Sequence, residues 1–114
     1  MTRPSCPELP AREAMRLASG GAAILDVRDG YEWEAGHAPR ATHVPLSLLP
    51  TSATPRWQSG PVMVLCRSGN RARTAACLLR ARGVEAFIVS GGLEDWQGAG
   101  GPGLRDGGAA GRVA

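Results

Sequence analysis

The sequence predicts one α/β domain built on a largely parallel sheet. Three observations carry this. Short apolar runs of strand length alternate with helix-forming segments. Glycine and proline punctuate the joins. A cysteine-bearing turn, Cys66-Arg67-Ser68-Gly69-Asn70-Arg71, follows one of the apolar runs and precedes the best helix. The chain has 114 residues, enough for one core, and no internal repeat suggests two lobes.

In chain order, residues 5–9 read as a short edge strand, where Pro7 is tolerated. Pro10 suits the first turn of a helix over 11–19, which Gly20-Gly21 end. Residues 22–27 form an apolar run that closes on Asp26-Val27-Arg28, read as a buried parallel strand. Asp29-Gly30 turns the chain, 31–35 makes one or two helical turns, and Gly36 stops them. A short strand is expected over 41–44, ended by Pro45. Ser47 can cap a brief helix over Leu48-Leu49. Residues 51–60 are polar, carry Pro55 and read as loop. Val62-Met63-Val64-Leu65 is the central strand, 71–82 a helix stopped by Gly83, and 85–89 the last clear strand. Ser90-Gly91-Gly92 leads into a short helix over 93–97. From Gly98 onward seven of 17 residues are glycine, so 104–114 is expected to be a flexible tail on a domain spanning 5–103.

Composition narrows the function. Hydrophobic residues make up 43%, which suits a folded domain. No apolar run approaches the ~20 residues of a membrane-spanning helix. The first residues lack an apolar signal core, so a cytoplasmic location is expected. The net charge is +3, all 13 basic residues are arginine, and they are scattered. With aromatics at 4%, nucleic-acid binding gains no support. Cys6, Cys66 and Cys77 are an odd number without metal-ligand spacing, so neither a disulfide framework nor a metal site is expected. No cofactor is expected either.

The turn at Cys66 is where the chemistry concentrates. A cysteine attacks as the thiolate. Here a helix N-terminus points at it, the N–H groups of residues 67–71 can curl around the sulfur, and Arg67 and Arg71 add positive charge. Gly69 supplies backbone freedom for a tight cradle. Ser68 and Asn70 can hydrogen-bond the loop to itself. The same geometry binds oxyanions, which arginine grips with paired hydrogen bonds, so a small anionic substrate is expected. In parallel sheets the site lies beyond the carboxyl ends of the strands, where both Cys66 and Asp26-Val27-Arg28 fall.

These residues resemble the active-site loop of the rhodanese family of sulfurtransferases. Cys66, Gly69 and Arg71 match its C-x-x-G-x-R pattern. Asp26-Val27-Arg28, Glu32, Gly36-His37-Ala38-Pro39, Ala41 and Pro45 match a second pattern, and Gly91-Gly92-Leu93-Glu94-Asp95-Trp96 a third. Arg40 stands where the family usually has glycine, and Ala38 where it has isoleucine. The resemblance implies a rhodanese-like fold, a five-stranded parallel sheet with helices on both faces. It also implies a ping-pong reaction in which Cys66 takes the outer sulfur of thiosulfate or a small persulfide. Cyanide, a thiol or a protein would accept that sulfur. Arg67 and Arg71 would hold the donor's anionic part, and the loop amides of Ser68, Gly69 and Asn70 the persulfide.

Two other readings compete. One is a persulfide-sensing or protein-binding rhodanese module without turnover; an intact Cys66 disfavours it. The other is a phosphatase or arsenate reductase; such loops are C-x5-R, whereas Cys66 to Arg71 is C-x4-R. Asp26 and Arg28 are expected to clamp the strand ends behind the site. His37 is expected in a structural turn and Trp96 in the core. Cys77, set among Ala75-Ala76 and Leu78-Leu79, reads as a buried apolar residue, and Cys6 has no fixed role.

Overall fold

A computed structural model describes residues 6–52 and 57–99, together with the backbone of two short strands at 105–106 and 109–110. Ser5 and residues 53–56 of the expected loop lie outside the described residues. The elements in order are β1 (Glu8–Leu9), α1 (Ala11–Ser19), β2 (Ala23–Asp26), α2 (Gly30–Ala35), β3 (Thr42–His43), a 3-10 helix (Leu46–Thr51), β4 (Val62–Leu65), α3 (Asn70–Ala81), β5 (Ala86–Val89) and α4 (Gly92–Gly98). The main sheet has five strands in the order β1-β5-β4-β2-β3, and every pairing is parallel. The fold class expected from the sequence is therefore the one observed.

Alternation along the strands divides the core into two layers. Val62 and Val64 of β4 join Leu25, Ile88 and the α3 residues Ala72, Ala75, Ala76 and Leu79 on one face. Met63 and Leu65 point the other way, with Ile24 and Val89, against Ala11 and Ala14 of α1 and Leu93 and Trp96 of α4. β4 is buried at all four positions, as a central parallel strand must be. Burying each large apolar side chain stabilises the fold by about 1.5–3 kcal/mol. Alanines at 72, 75 and 76 have no side-chain entropy to lose and let α3 approach the sheet closely.

Two details differ from expectation. Ser47 does not cap the helix after β3; the helix is 3-10, starts after Pro45 and has no side-chain cap. Within the tail expected to be flexible, Arg105–Asp106 (β6) pairs antiparallel with Ala109–Ala110 (β7), and the rest of 104–114 lies outside the described residues.

The strand order puts β4 at the middle, flanked by β5 and β2. The chain leaves β4 at Cys66 and leaves β2 at Val27-Arg28, beside each other at the carboxyl edge. Val27 N–H donates to Leu65 O at 2.9 Å, locking the two exits together. At the β2 exit the Asp26 and Arg28 side chains pair with each other, both fully buried.

Candidate active site

Cys66 ends β4 and is 1% exposed. The chain then turns through Arg67-Ser68-Gly69 into α3. Gly69 sits at the N-cap with φ +118°, a left-handed conformation that a side chain would strain. This turn aims the Gly69 N–H at the sulfur, 2.9 Å from Cys66 Sγ. Among the described residues, the N–H groups of Arg67, Ser68, Asn70 and Arg71 have no acceptor. The loop is thus a cradle of free donors at the N-terminus of a 12-residue helix. The side chains of Ser68 and Asn70 are exposed and make no hydrogen bond among the described residues, so they do not tie the loop to itself as expected.

The second glycine pair holds the loop from the other side. Gly91 and Gly92 both have positive φ, +72° and +60°. They bring the start of α4 against the backbone of Cys66 and Arg67. Leu93 N–H donates to Cys66 O at 2.7 Å, and Glu94 N–H to Arg67 O at 3.2 Å. The Gly-Gly-x-x-x-Trp stretch therefore supports the cysteine loop, while Trp96 packs in the core at 1% exposure.

The charges are paired more tightly than the sequence suggests. Arg71 forms a two-pronged ion pair with Glu32, at 2.5 and 2.9 Å. Glu32 is buried, and it also accepts the Asp29 N–H at 3.1 Å within the capping box that starts α2. The Arg71 hydrogen bonds hold the Glu32 carboxyl below the usual range, against the opposing effect of burial. Glu32 in turn raises Arg71 above the ordinary arginine value, chiefly through its hydrogen bonds. Arg67 is exposed and sits 3.9 Å from Glu94. The positive field expected at the loop is thus partly neutralised by Glu32 and Glu94.

Asp26 and Arg28 form the fully buried clamp. Arg28 Nε and Nη2 reach the Asp26 carboxylate at 3.0 and 2.9 Å, and Nη2 also donates to Gly36 O at 2.7 Å. That last bond ties the β2 exit to the turn after α2. The turn itself is held by a stack: Trp33 lies face to face with His37 at 3.6 Å and with His43 at 4.7 Å. His37 Nδ1 bonds Trp33 O and His43 Nε2 bonds Arg28 O, which gives both histidines structural positions.

The cysteine expectation needs correcting. Cys6 and Cys77 form a disulfide across 71 residues, with Cα atoms 5.7 Å apart. Cys77 lies on an exposed position of α3, not in the core, and the bridge fastens that helix to the segment entering β1. Cys66 is the free cysteine. While the bridge is intact, neither Cys6 nor Cys77 has a thiol with which to resolve a Cys66 persulfide. Among the described residues no cluster of His, Cys, Asp and Glu could hold a metal, and no helix is long and apolar enough to cross a membrane.

A buried free cysteine at the carboxyl edge of a five-stranded parallel sheet, in an amide-lined turn, defines a familiar class. The model of the rhodanese-like domain family matches residues 11–99, and the chain belongs to that family. Solved structures agree. The rhodanese-like domain of an Anabaena protein is 29% identical with a TM-score of 0.75, over 87% of this chain and 78% of that one. A Rhodopseudomonas palustris protein of unknown function, described as a possible tyrosine phosphatase, is 27% identical with a TM-score of 0.71, over 85% and 83%. The thiosulfate sulfurtransferase of Pseudomonas aeruginosa shares the fold at 23% identity and a TM-score of 0.79, over 96% of this chain but 21% of that one.

Proposed function

We propose that this protein is a sulfurtransferase that carries a sulfane sulfur on Cys66. The observation that supports this best is the cradle: a Gly69 N–H on the sulfur at 2.9 Å, with four neighbouring loop N–H groups left without acceptors. The Cys66 thiolate attacks the outer sulfur of thiosulfate, the S–S bond breaks, and sulfite leaves with the electron pair. The product is a Cys66 persulfide whose terminal sulfur is anionic. The free amides stabilise that charge as it moves one atom outward. A nucleophile such as cyanide or a thiol then takes the terminal sulfur and regenerates the thiolate.

Arg71 in this reading does not grip the donor with its whole fork, since two of its N–H groups belong to Glu32. It supplies charge near the sulfur, and Arg67, on the exposed side of the loop, meets the anionic part of the donor. The turnover test is thiocyanate formation from thiosulfate and cyanide. Wild-type protein should form it and Cys66→Ser should not; activity retained in Cys66→Ser would contradict the proposal. Hydrolysis of p-nitrophenyl phosphate without thiocyanate formation would instead favour a phosphatase. The four-residue spacing between Cys66 and Arg71 argues against that outcome.

A further inference from the structure

We propose that the chain has a second binding site, between α1 and α4, for a small organic carboxylate with an apolar body. A cavity of about 360 Å³ opens there, and it shares no lining residue with the Cys66 loop. Its walls are largely apolar: Met15 and Ala18 from α1, Ile24 from β2, Pro39 from the turn before β3, and Trp96 from α4. Ala38, buried in the same layer, contributes only a methyl group beside them. The volume falls within the range of small-ligand pockets, near its lower end.

Each polar side chain lining this cavity, Ser19, Arg40 and Trp96, carries a donor, and no carboxylate lines it. Trp96 is 1% exposed, yet its Nε1–H is buried and has no acceptor among the described residues. A buried indole N–H normally finds a partner. At the mouth stand the Ser19 hydroxyl and the Arg40 guanidinium, both exposed, and Arg40 makes no ion pair among the described residues. Arg40 is also the described non-glycine residue with positive φ, at +67°, so the turn holds its side chain at this rim at a conformational cost. An apolar wall, an unpaired buried donor and an unpaired cation at the rim together fit an anion with a hydrocarbon tail. A neutral alcohol satisfies the wall but not the cation.

The test is a titration of ¹⁵N-labelled protein with sodium octanoate, read at the assigned Trp96 indole N–H, with octan-1-ol as the neutral match. A saturable downfield movement with octanoate, and a weaker response to octan-1-ol, is expected. Ala18→Leu, which fills the cavity from an α1 position, should abolish saturation. Arg40→Gly suits the backbone there and should weaken octanoate by about threefold, as expected for an exposed ion pair. No saturable movement, an equal response to octan-1-ol, or unchanged affinity in both variants would overturn the proposal.

Discussion

Gly92 and the carbonyl oxygen of Cys66 leave no room for a side chain between them. A Cβ on Gly92 would lie 2.5 Å from Cys66 O and 2.6 Å from Arg67 O, both backbone atoms that cannot swing aside. The residue is also left-handed, at φ +60°. Gly92→Ala should therefore cost about 2–3 kcal/mol of stability, combining backbone strain with overlap. It should also displace the loop and lower sulfur transfer. Denaturant unfolding checks the first effect and thiocyanate assay the second. A Gly92→Ala protein of unchanged stability would contradict this account of the glycine pair.

Glu32 couples stability to pH. Its carboxyl is held low in the folded protein by Arg71, so the pair stabilises the fold above the ordinary glutamate value of about 4.3 and that contribution is lost as pH falls below it. Glu32→Gln should lower stability at neutral pH by about 1–3 kcal/mol, less than for a fully buried pair because the Arg71 side chain is 33% exposed. It should also flatten the loss of stability on acidification. Unfolding curves measured from neutral pH down to the acid limb test this, and parallel curves for the two proteins would count against it.

Arg40 occupies a left-handed position that glycine adopts freely. Arg40→Gly should raise stability by about 1 kcal/mol by removing that cost. Thermal unfolding measures it. A loss of stability would mean that the arginine side chain contributes more than its backbone costs.

The Cys6–Cys77 bridge joins the segment entering β1 to α3 across a sequence separation of 71 residues. Cys77→Ser should lose about 2–4 kcal/mol relative to the oxidised protein, and a reductant should bring the wild type close to the variant. Unfolding with and without reductant makes the comparison. No difference between oxidised wild type and Cys77→Ser would show that the bridge does not constrain the fold.

The elements whose signals are local were legible in the sequence. The run Val62-Met63-Val64-Leu65 is a strand because all four side chains are buried between two layers, and it reads so without neighbours. The loop after it was legible because Cys66, Gly69 and Arg71 lie within six residues. The pairings that complete the site were not. Glu32 and Arg71 are 39 residues apart, and nothing local marks a glutamate as the partner that will occupy an arginine's fork. Cys77 sits among alanines and leucines, so its neighbours suggest burial. Its position on α3 instead turns it outward, towards Cys6. Arg67 and Arg71 were both expected as free cations for the same reason: their carboxylate partners arrive through tertiary packing. The glycine pair at 91–92 was visible as a motif, but its reason, contact with the Cys66 backbone, appears only once α4 is placed.

The most direct test of sulfur carriage is the mass of the intact protein after incubation with thiosulfate. One added sulfur, about 32 Da, should appear, be removed by cyanide, and be absent in Cys66→Ser with the Cys6–Cys77 bridge intact. No adduct on the wild type, or the same adduct on Cys66→Ser, would contradict the assignment of Cys66 as the sulfur carrier.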